Sequence, residues 1–414
     1  MNIYQIWYVL FALILSGCSL DATLLSSSSS TLSGNNEQKP EGSLSTRISA
    51  GASHTCLIKN DHTVWCWGDN SYGQLGDGTT LSTTSPVQVI DPGVLYKSIS
   101  VSDNFSCGIT TTNSARCWGH NNTGQLGDGT TNESHVPTQV LGLEANVLSI
   151  SAAGEKWGNY GYACAVLMDM TLQCWGSHPA NIGDGTQYSL TPVSFSGLSN
   201  VIQVSSSRGH TCALLKSKSA VCWGGNQTGQ LGDGTGISSN SPVAVSGLTN
   251  IKRIVAGSSA WMNDGISCAL LESGQVQCWG SNHSGTLGNG DNAVTHSLVP
   301  IEVVGLSDIK DINIGYGNDS NGNGTACAIT SNGDLYCWGS NSTGMVGDGT
   351  TSPTYTPLKV ANLSGVQISI ALGEGGDNGS GHSCALNAQE HYSCWGANYA
   401  GQLGDGTTSS RLSP

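Results

Sequence analysis

Seven times in this chain a cysteine is followed, ten positions later, by a second cysteine that directly precedes Trp-Gly. The couples are Cys56 with Cys66, Cys107 with Cys117, Cys164 with Cys174, Cys212 with Cys222, Cys268 with Cys278, Cys327 with Cys337 and Cys384 with Cys394. A spacing held constant while its surroundings vary belongs to one local structure. The stretch Cys268–Gly280, "CALLESGQVQCWG", indicates a tight hairpin. Gly274, like Gly333 in the next copy, occupies the third turn position, where a three-residue hairpin loop needs φ > 0. Pairing outward from that turn sets Leu271 against Gln275 and finally Cys268 against Cys278. Opposed residues of antiparallel strands lie about 4.5–5.5 Å apart at Cα, a span that a disulfide bridges. Each couple therefore reads as a disulfide rung across one hairpin. A loop this small removes up to roughly 3 kcal/mol of unfolded-state freedom. The full set needs an oxidising compartment. Structural zinc gathers cysteines about two to four apart, in fours, so no metal is expected at these pairs.

The first cysteines recur at steps of 48 to 59 residues. Each unit carries a lead strand ending in "A-G", the two hairpin strands, the connection "G-Q-L-G-D-G-T" and a closing "P-V-x-V" strand. Four short strands per unit and seven units describe an all-β fold, a seven-bladed β-propeller with one cross-strand disulfide per blade, over residues 46–414. A coiled β-helix would use much shorter repeats. Residues that recur with the unit are read as scaffold. Asp77, Asp128, Asp184, Asp233, Asp348 and Asp405, with Asn289 in the fifth unit, cap their own turns. His54, His210 and His382 serve the repeat, and the tryptophans after the second cysteines pack between neighbouring units. The last unit stops at Leu412–Pro414, where its outer strand should begin. Either the N-terminal segment pairs imperfectly to close the ring or the sequence is truncated, with the balance slightly towards truncation.

The motifs "G-x-x-H-T-C-A-L", "V-x-C-W-G-x-N-x-x-G-Q-L-G-D-G" and "P-x-x-V" resemble the regulator of chromosome condensation repeat. The resemblance covers residues 46–414 and implies a seven-bladed propeller. It is specific for fold and weak for function, because the matching residues are scaffold. Some members of that family are exchange factors for a small nuclear GTPase, and one secreted member inhibits β-lactamases by protein contact. The exchange residues cannot be carried onto this chain, whose face loops diverge.

The fifteenth cysteine, Cys18, ends "LSGC" after an apolar run in residues 1–17 that has the length of a secretory signal. This resembles a bacterial lipobox, and the resemblance implies cleavage before Cys18 and its lipidation. The segment before it lacks Lys and Arg, a departure from the pattern. Residues 18–45, including the run Ser26–Ser30, read as a lipidated Ser-rich tether. The expected address is the cell envelope, on an outer membrane or cell surface, with the membrane touched through the lipid alone. The net charge of −14 and the absence of a Lys/Arg cluster argue against nucleic acid as a partner.

Function is expected where the units differ. Gly51 to Cys56 takes five steps, whereas the same interval takes ten from Gly154, eleven from Gly257, twelve from Gly315 and eleven from Gly373. These longer connections supply Trp157, Tyr160 and Tyr162; Trp261, Met262 and Asp264; Tyr316, Asp319, Asn321 and Asn323; and Glu374 and Asp377. Aromatic side chains beside Asn and Asp suit a surface that binds a protein or a glycan, although loops also lengthen at small cost. Asp319-x-Asn321-x-Asn323-Gly324 matches the start of a calcium loop, but Thr330 stands where the bidentate Glu is required. No catalytic set and no cofactor motif stand out. The reading is a non-enzymatic, lipid-anchored binding propeller. The alternatives are an inhibitor or regulator of an envelope enzyme and, disfavoured by export, an exchange factor.

Overall fold

The computed structural model describes residues 46–414 apart from 155–159, 179–184, 259–263, 317–323 and 374–380. The signal segment, Cys18 and the tether lie outside the described residues. Seven antiparallel sheets follow one another along the chain, each with its strands side by side in sequence order; six have four strands and the last has three. The first blade consists of Ile48–Ala50, His54–Ile58, Val64–Gly68 and Thr83–Gln88, counted from the centre of the ring outward. This is the seven-bladed all-β propeller that the repeat requires.

Every expected cysteine couple is directly opposed in register and bonded. In the first three blades Cys56 is joined to Cys66, Cys107 to Cys117 and Cys164 to Cys174. Cys212 is joined to Cys222 in the fourth and Cys268 to Cys278 in the fifth. Cys327 is joined to Cys337 in the sixth and Cys384 to Cys394 in the last. The Cα atoms of the couples are 4.0–4.1 Å apart, so the strands approach more closely at the rungs than the expected spacing. Gly274 and Gly333 have φ of 81° and 88°, as the turn demands. In the other five hairpins the same position is held by His62, Asn113, Met170, Lys218 and Glu390, at φ of 63–67°.

The Trp-Gly after each rung has a backbone cause. The third strand advances from Cys66 to Gly68 while the outer strand runs from Val87 back to Thr83, so the outer strand bulges. Gly68 sits at φ +108°, and a Cβ there would lie 2.3 Å from the carbonyl oxygen of Ser53. Pro86 falls inside the bulge, where no ladder N–H is needed, which explains the "S-P-V" of the repeat.

Blades are riveted by the tryptophans. All seven indoles are buried, and Trp118 donates its Nε1–H to the carbonyl of Gln74 in the preceding blade at 2.9 Å. Trp175, Trp279, Trp338 and Trp395 do the same to Gln125, Gln230, Thr286 and Met345. Gly76 packs under the indole of Trp118, 2.8 Å from where its Cβ would be, so "G-Q-L-G" is shaped to its neighbour. Ring closure repeats this pattern. Trp67 donates to the carbonyl of Gln402 at 2.8 Å, and the Gly406 N–H donates to the carbonyl of Thr84 at 2.9 Å. One apolar cluster joins Ile48, Leu57 and Trp67 to Ala371, Leu386 and Leu403. In the last blade Arg411 bridges Gly396, and the Leu412 carbonyl accepts the Gly349 N–H, the place an outer strand takes in the other blades.

Candidate functional site

The connections from innermost to second strand and from third to outer strand leave one end of the ring, here the loop face; the hairpins occupy the opposite, hairpin face. The two faces differ in charge. Among the described residues the loop face carries ten carboxylates (Asp69, Asp77, Asp103, Asp128, Glu133, Asp233, Asp264, Asp291, Asp348, Asp405) against Arg208 and Arg411. On the hairpin face acids and bases balance, ten of each.

Five of the ten loop-face carboxylates share one repeated turn. Asp77 accepts the Thr79 N–H at 3.0 Å and the Asn70 amide at 3.1 Å, while Asn70 Oδ1 accepts the Leu75 N–H at 2.9 Å. Asn121/Asp128, Asn226/Asp233, Asn341/Asp348 and Asn398/Asp405 repeat the arrangement. These aspartates are scaffold, as expected, and still contribute negative potential. Asp184 lies outside the described residues. The recurring histidines are scaffold too. His54 Nε2 meets Ser106 Oγ at 2.9 Å, His210 Nε2 meets Ser267 Oγ at 2.8 Å and His382 Nε2 meets Thr55 Oγ1 at 2.6 Å, each partner in the following blade. Burial lowers the His54 pKa to about 4 and that of His210 to about 3.

Of the expected binding residues, Trp157, Trp261, Met262, Asp319, Asn321, Asn323, Glu374 and Asp377 lie outside the described residues, as does the side chain of Tyr316. Tyr160 and Asp264 are half-buried at the loop face, and desolvation raises the Asp264 pKa against the opposing pull of His283. Tyr162 is corrected. It is 1% exposed, pairs with Gly176 inside the blade, and donates its hydroxyl to the Ser207 carbonyl at 2.7 Å. Counted back from Cys164, it holds the register position of His54 and His210, which face the core. A count forward from Gly154 places it in the loop instead, because the connection there is longer than in the first unit.

One feature of the face has no counterpart in the repeat. Arg208 and Asp103, 3% and 1% exposed at their side chains, form an ion pair between the fourth and second blades. Arg208 Nε also donates to the Gly154 carbonyl at 3.1 Å, so the pair is clasped across the third blade. Both are non-repeating charges in otherwise Gly/Ser-rich connections, which was the available signal. No group of three or more His, Cys, Asp or Glu among the described residues is placed to hold a metal.

Two models of the regulator of chromosome condensation (RCC1) repeat match the chain, one at residues 61–110, 117–155, 222–261, 273–319 and 332–386, the other at 46–74, 96–125, 201–230, 251–286 and 309–344. The chain belongs to this family. The ultraviolet-B receptor UVR8 of Arabidopsis thaliana is 28% identical over 77% of the chain and 70% of UVR8. The human E3 ubiquitin-protein ligase HERC2 is 26% identical over 79% of the chain, which spans 6% of HERC2. Among solved structures, Prp20p of Saccharomyces cerevisiae has a TM-score of 0.67 at 20% identity, over 79% of this chain and 80% of that one. Human WBSCR16 has a TM-score of 0.66 at 22% identity, over 80% and 85%. These structural likenesses establish the RCC1-type propeller as a fold.

Proposed function

We propose that this RCC1-repeat protein is a lipid-anchored, extracytoplasmic propeller that recognises a protein or glycan through its loop face. One observation carries the reading: the connections that outgrow the repeat, between Gly154 and Gly161, Ser258 and Gly265, Tyr316 and Gly324, and Leu372 and His382, all join strand ends on one face. Scaffold residues cannot discriminate partners, and these connections are what is not scaffold. The excess of carboxylates on the same face favours a partner with a basic surface. RCC1-type propellers elsewhere bind proteins. Prp20p has binding properties to Gsp1p and histones, and Kap60 is bound to yeast RCC1 (Prp20). Export is supported by "LSGC" at Leu15–Cys18 and by seven disulfides, which persist outside reducing compartments. Regulation of an envelope enzyme by protein contact would be one form of this activity.

The test is crosslinking on whole cells with the full chain. The triple variant Trp157→Ala, Trp261→Ala, Asp319→Ala should lose the specific crosslinks, while Lys59→Ala on the hairpin face keeps them. Identical crosslinks from both variants refute the assignment to this face. Mass spectrometry of the native chain checks acylation at Cys18 separately.

A further inference from the structure

The seven innermost strands surround a cavity of about 140 Å³ whose two walls differ in chemistry. Blades one to four line it with serines set between apolar side chains such as Ile99, Ile150 and Val204; blades five to seven contribute Val255, Ile314 and Leu372 with Arg253 and Asn313, and no serine. The serine hydroxyls are committed in an unusual way. Ser49, Ser100, Ser151 and Ser205 accept the backbone N–H of Val101, Ala152, Ser206 and Ala256 at 2.9–3.0 Å, each in the next blade. A hydroxyl that accepts from an amide keeps its own proton to donate. Among the described residues no protein acceptor takes it. The hydroxyls of Ser98 and Ser149, on the same wall, bond to none of the described residues, and Ser206 is 7% exposed with its Oγ unpartnered. The amides that could accept are engaged: Gln203 with both backbone groups of Ile254, and Asn313 with Ile370 and Ile314. No carboxylate of the described residues lines the cavity. It therefore presents a bank of O–H donors facing a side that carries no hydroxyl and offers the alkyl groups of Val255, Ile314 and Leu372.

Charge gives the bank a direction. At the hairpin-face end, Arg253 pairs with Asp311 at 2.5 Å, and Lys252 and Lys310 stand beside them, so cations outnumber the one carboxylate. At the loop-face end, the Arg208–Asp103 clasp lies across the third blade. We propose that the central channel binds a short-chain carboxylate, entering past Arg253. Its oxygens accept the serine O–H groups of blades one to four, and its alkyl part rests on Val255, Ile314 and Leu372. At about 140 Å³ the cavity far exceeds the roughly 10–15 Å³ that a single water needs, so a solute of several heavy atoms can enter it.

Butyrate is the probe, titrated calorimetrically into the full chain, with inorganic phosphate and butanol as comparison arms. Saturable butyrate binding at millimolar concentration is expected, tighter than either comparison solute. The double variant Ser98→Ala, Ser149→Ala removes two hydroxyls that bond nothing among the described residues. It should unfold at the wild-type midpoint and bind butyrate about tenfold or more weakly, as expected for lost bonds to a charged group. Absence of saturable binding, meaning that the channel takes water alone, overturns the proposal. So does phosphate or butanol binding more tightly than butyrate, or equal butyrate affinity in the double variant.

Discussion

Mild acid should loosen this ring, because three imidazoles are folded in their neutral form. His54, His178 and His210 are buried, and desolvation lowers their pKa values from 6.5 to about 4, about 3 and about 3; for His178 the proximity of His210 adds to the effect. A histidine depressed in the fold is neutral in both states above its unfolded pKa. Below that value the unfolded chain takes up a proton that the fold refuses. Stability is therefore complete above about pH 6.5, falls as the pH drops, and levels off only near the folded pKa. At pH 5 each site has moved about 1.5 units into this window, which costs about 2 kcal/mol, or about 6 kcal/mol for the three. Asp61 and Asp169, held below the usual range by the Thr63 and Thr171 hydroxyls, protonate only at lower pH, whereas burial raises Asp264 and Asp311, whose earlier protonation in the fold acts in the opposite direction and offsets part of the histidine loss. The assay is non-reducing urea unfolding at pH 7 and pH 5 at constant ionic strength. The protein supplies its own control, because Phe105 and Ile266 hold in the second and fifth blades the register position that His54 and His210 hold in the first and fourth. His54→Phe with His210→Ile should recover about 4 kcal/mol of the loss between pH 7 and pH 5. The reasoning fails if wild-type stability is flat to within about 1 kcal/mol over that interval, or if the double variant loses as much as wild type.

Other perturbations follow from the same geometry. Arg208→Met leaves the Asp103 carboxylate buried beside a lost partner and should lower the unfolding free energy by about 3–5 kcal/mol, read from the urea midpoint, with Asp103→Leu restoring part of it in the double variant. Replacing Cys107 and Cys117 together by Ala opens one loop with a separation of 10 residues and should cost about 3 kcal/mol by the same measurement. Met170 sits at φ 65°, so Met170→Asn should raise stability by about 0.5–1 kcal/mol, whereas a decrease would mean that its side-chain packing outweighs the backbone strain.

What the sequence reveals here depends on whether a residue's role is local or crosses the ring. The Cys56–Cys66 rung is legible because antiparallel register counts outward from a turn, and ten residues permit only one facing arrangement. The same count holds for Cys174, Cys222, Cys337 and Cys394, whose hairpins differ in every turn residue yet close on the same partner position. The tryptophans are legible as inter-blade residues because an apolar side chain that recurs in every unit has only its neighbour to cover it. Their acceptors are not, since the Gln74 carbonyl that meets Trp118 is a backbone atom of a different unit. Tyr162 is hard to place because a variable connection shifts any count begun at the glycine before it, whereas a count begun at Cys164 crosses no variable residues. The same rule assigns the serine bank. Ser49, Ser100 and Ser205 each stand seven positions before a first cysteine, and Ser151 stands opposite Cys164 once the longer connection is passed. The Asp103–Arg208 clasp escapes such a rule for another reason: both residues stand four positions before the first cysteine of their units, but the count does not say that two alternate blades meet across the third. In a ring of near-identical units, the period thus encodes the contacts between adjacent blades, and contacts that skip a blade appear only when the blades are packed side by side. Charges that break the repeat are therefore the residues to inspect first for roles that a single unit cannot perform.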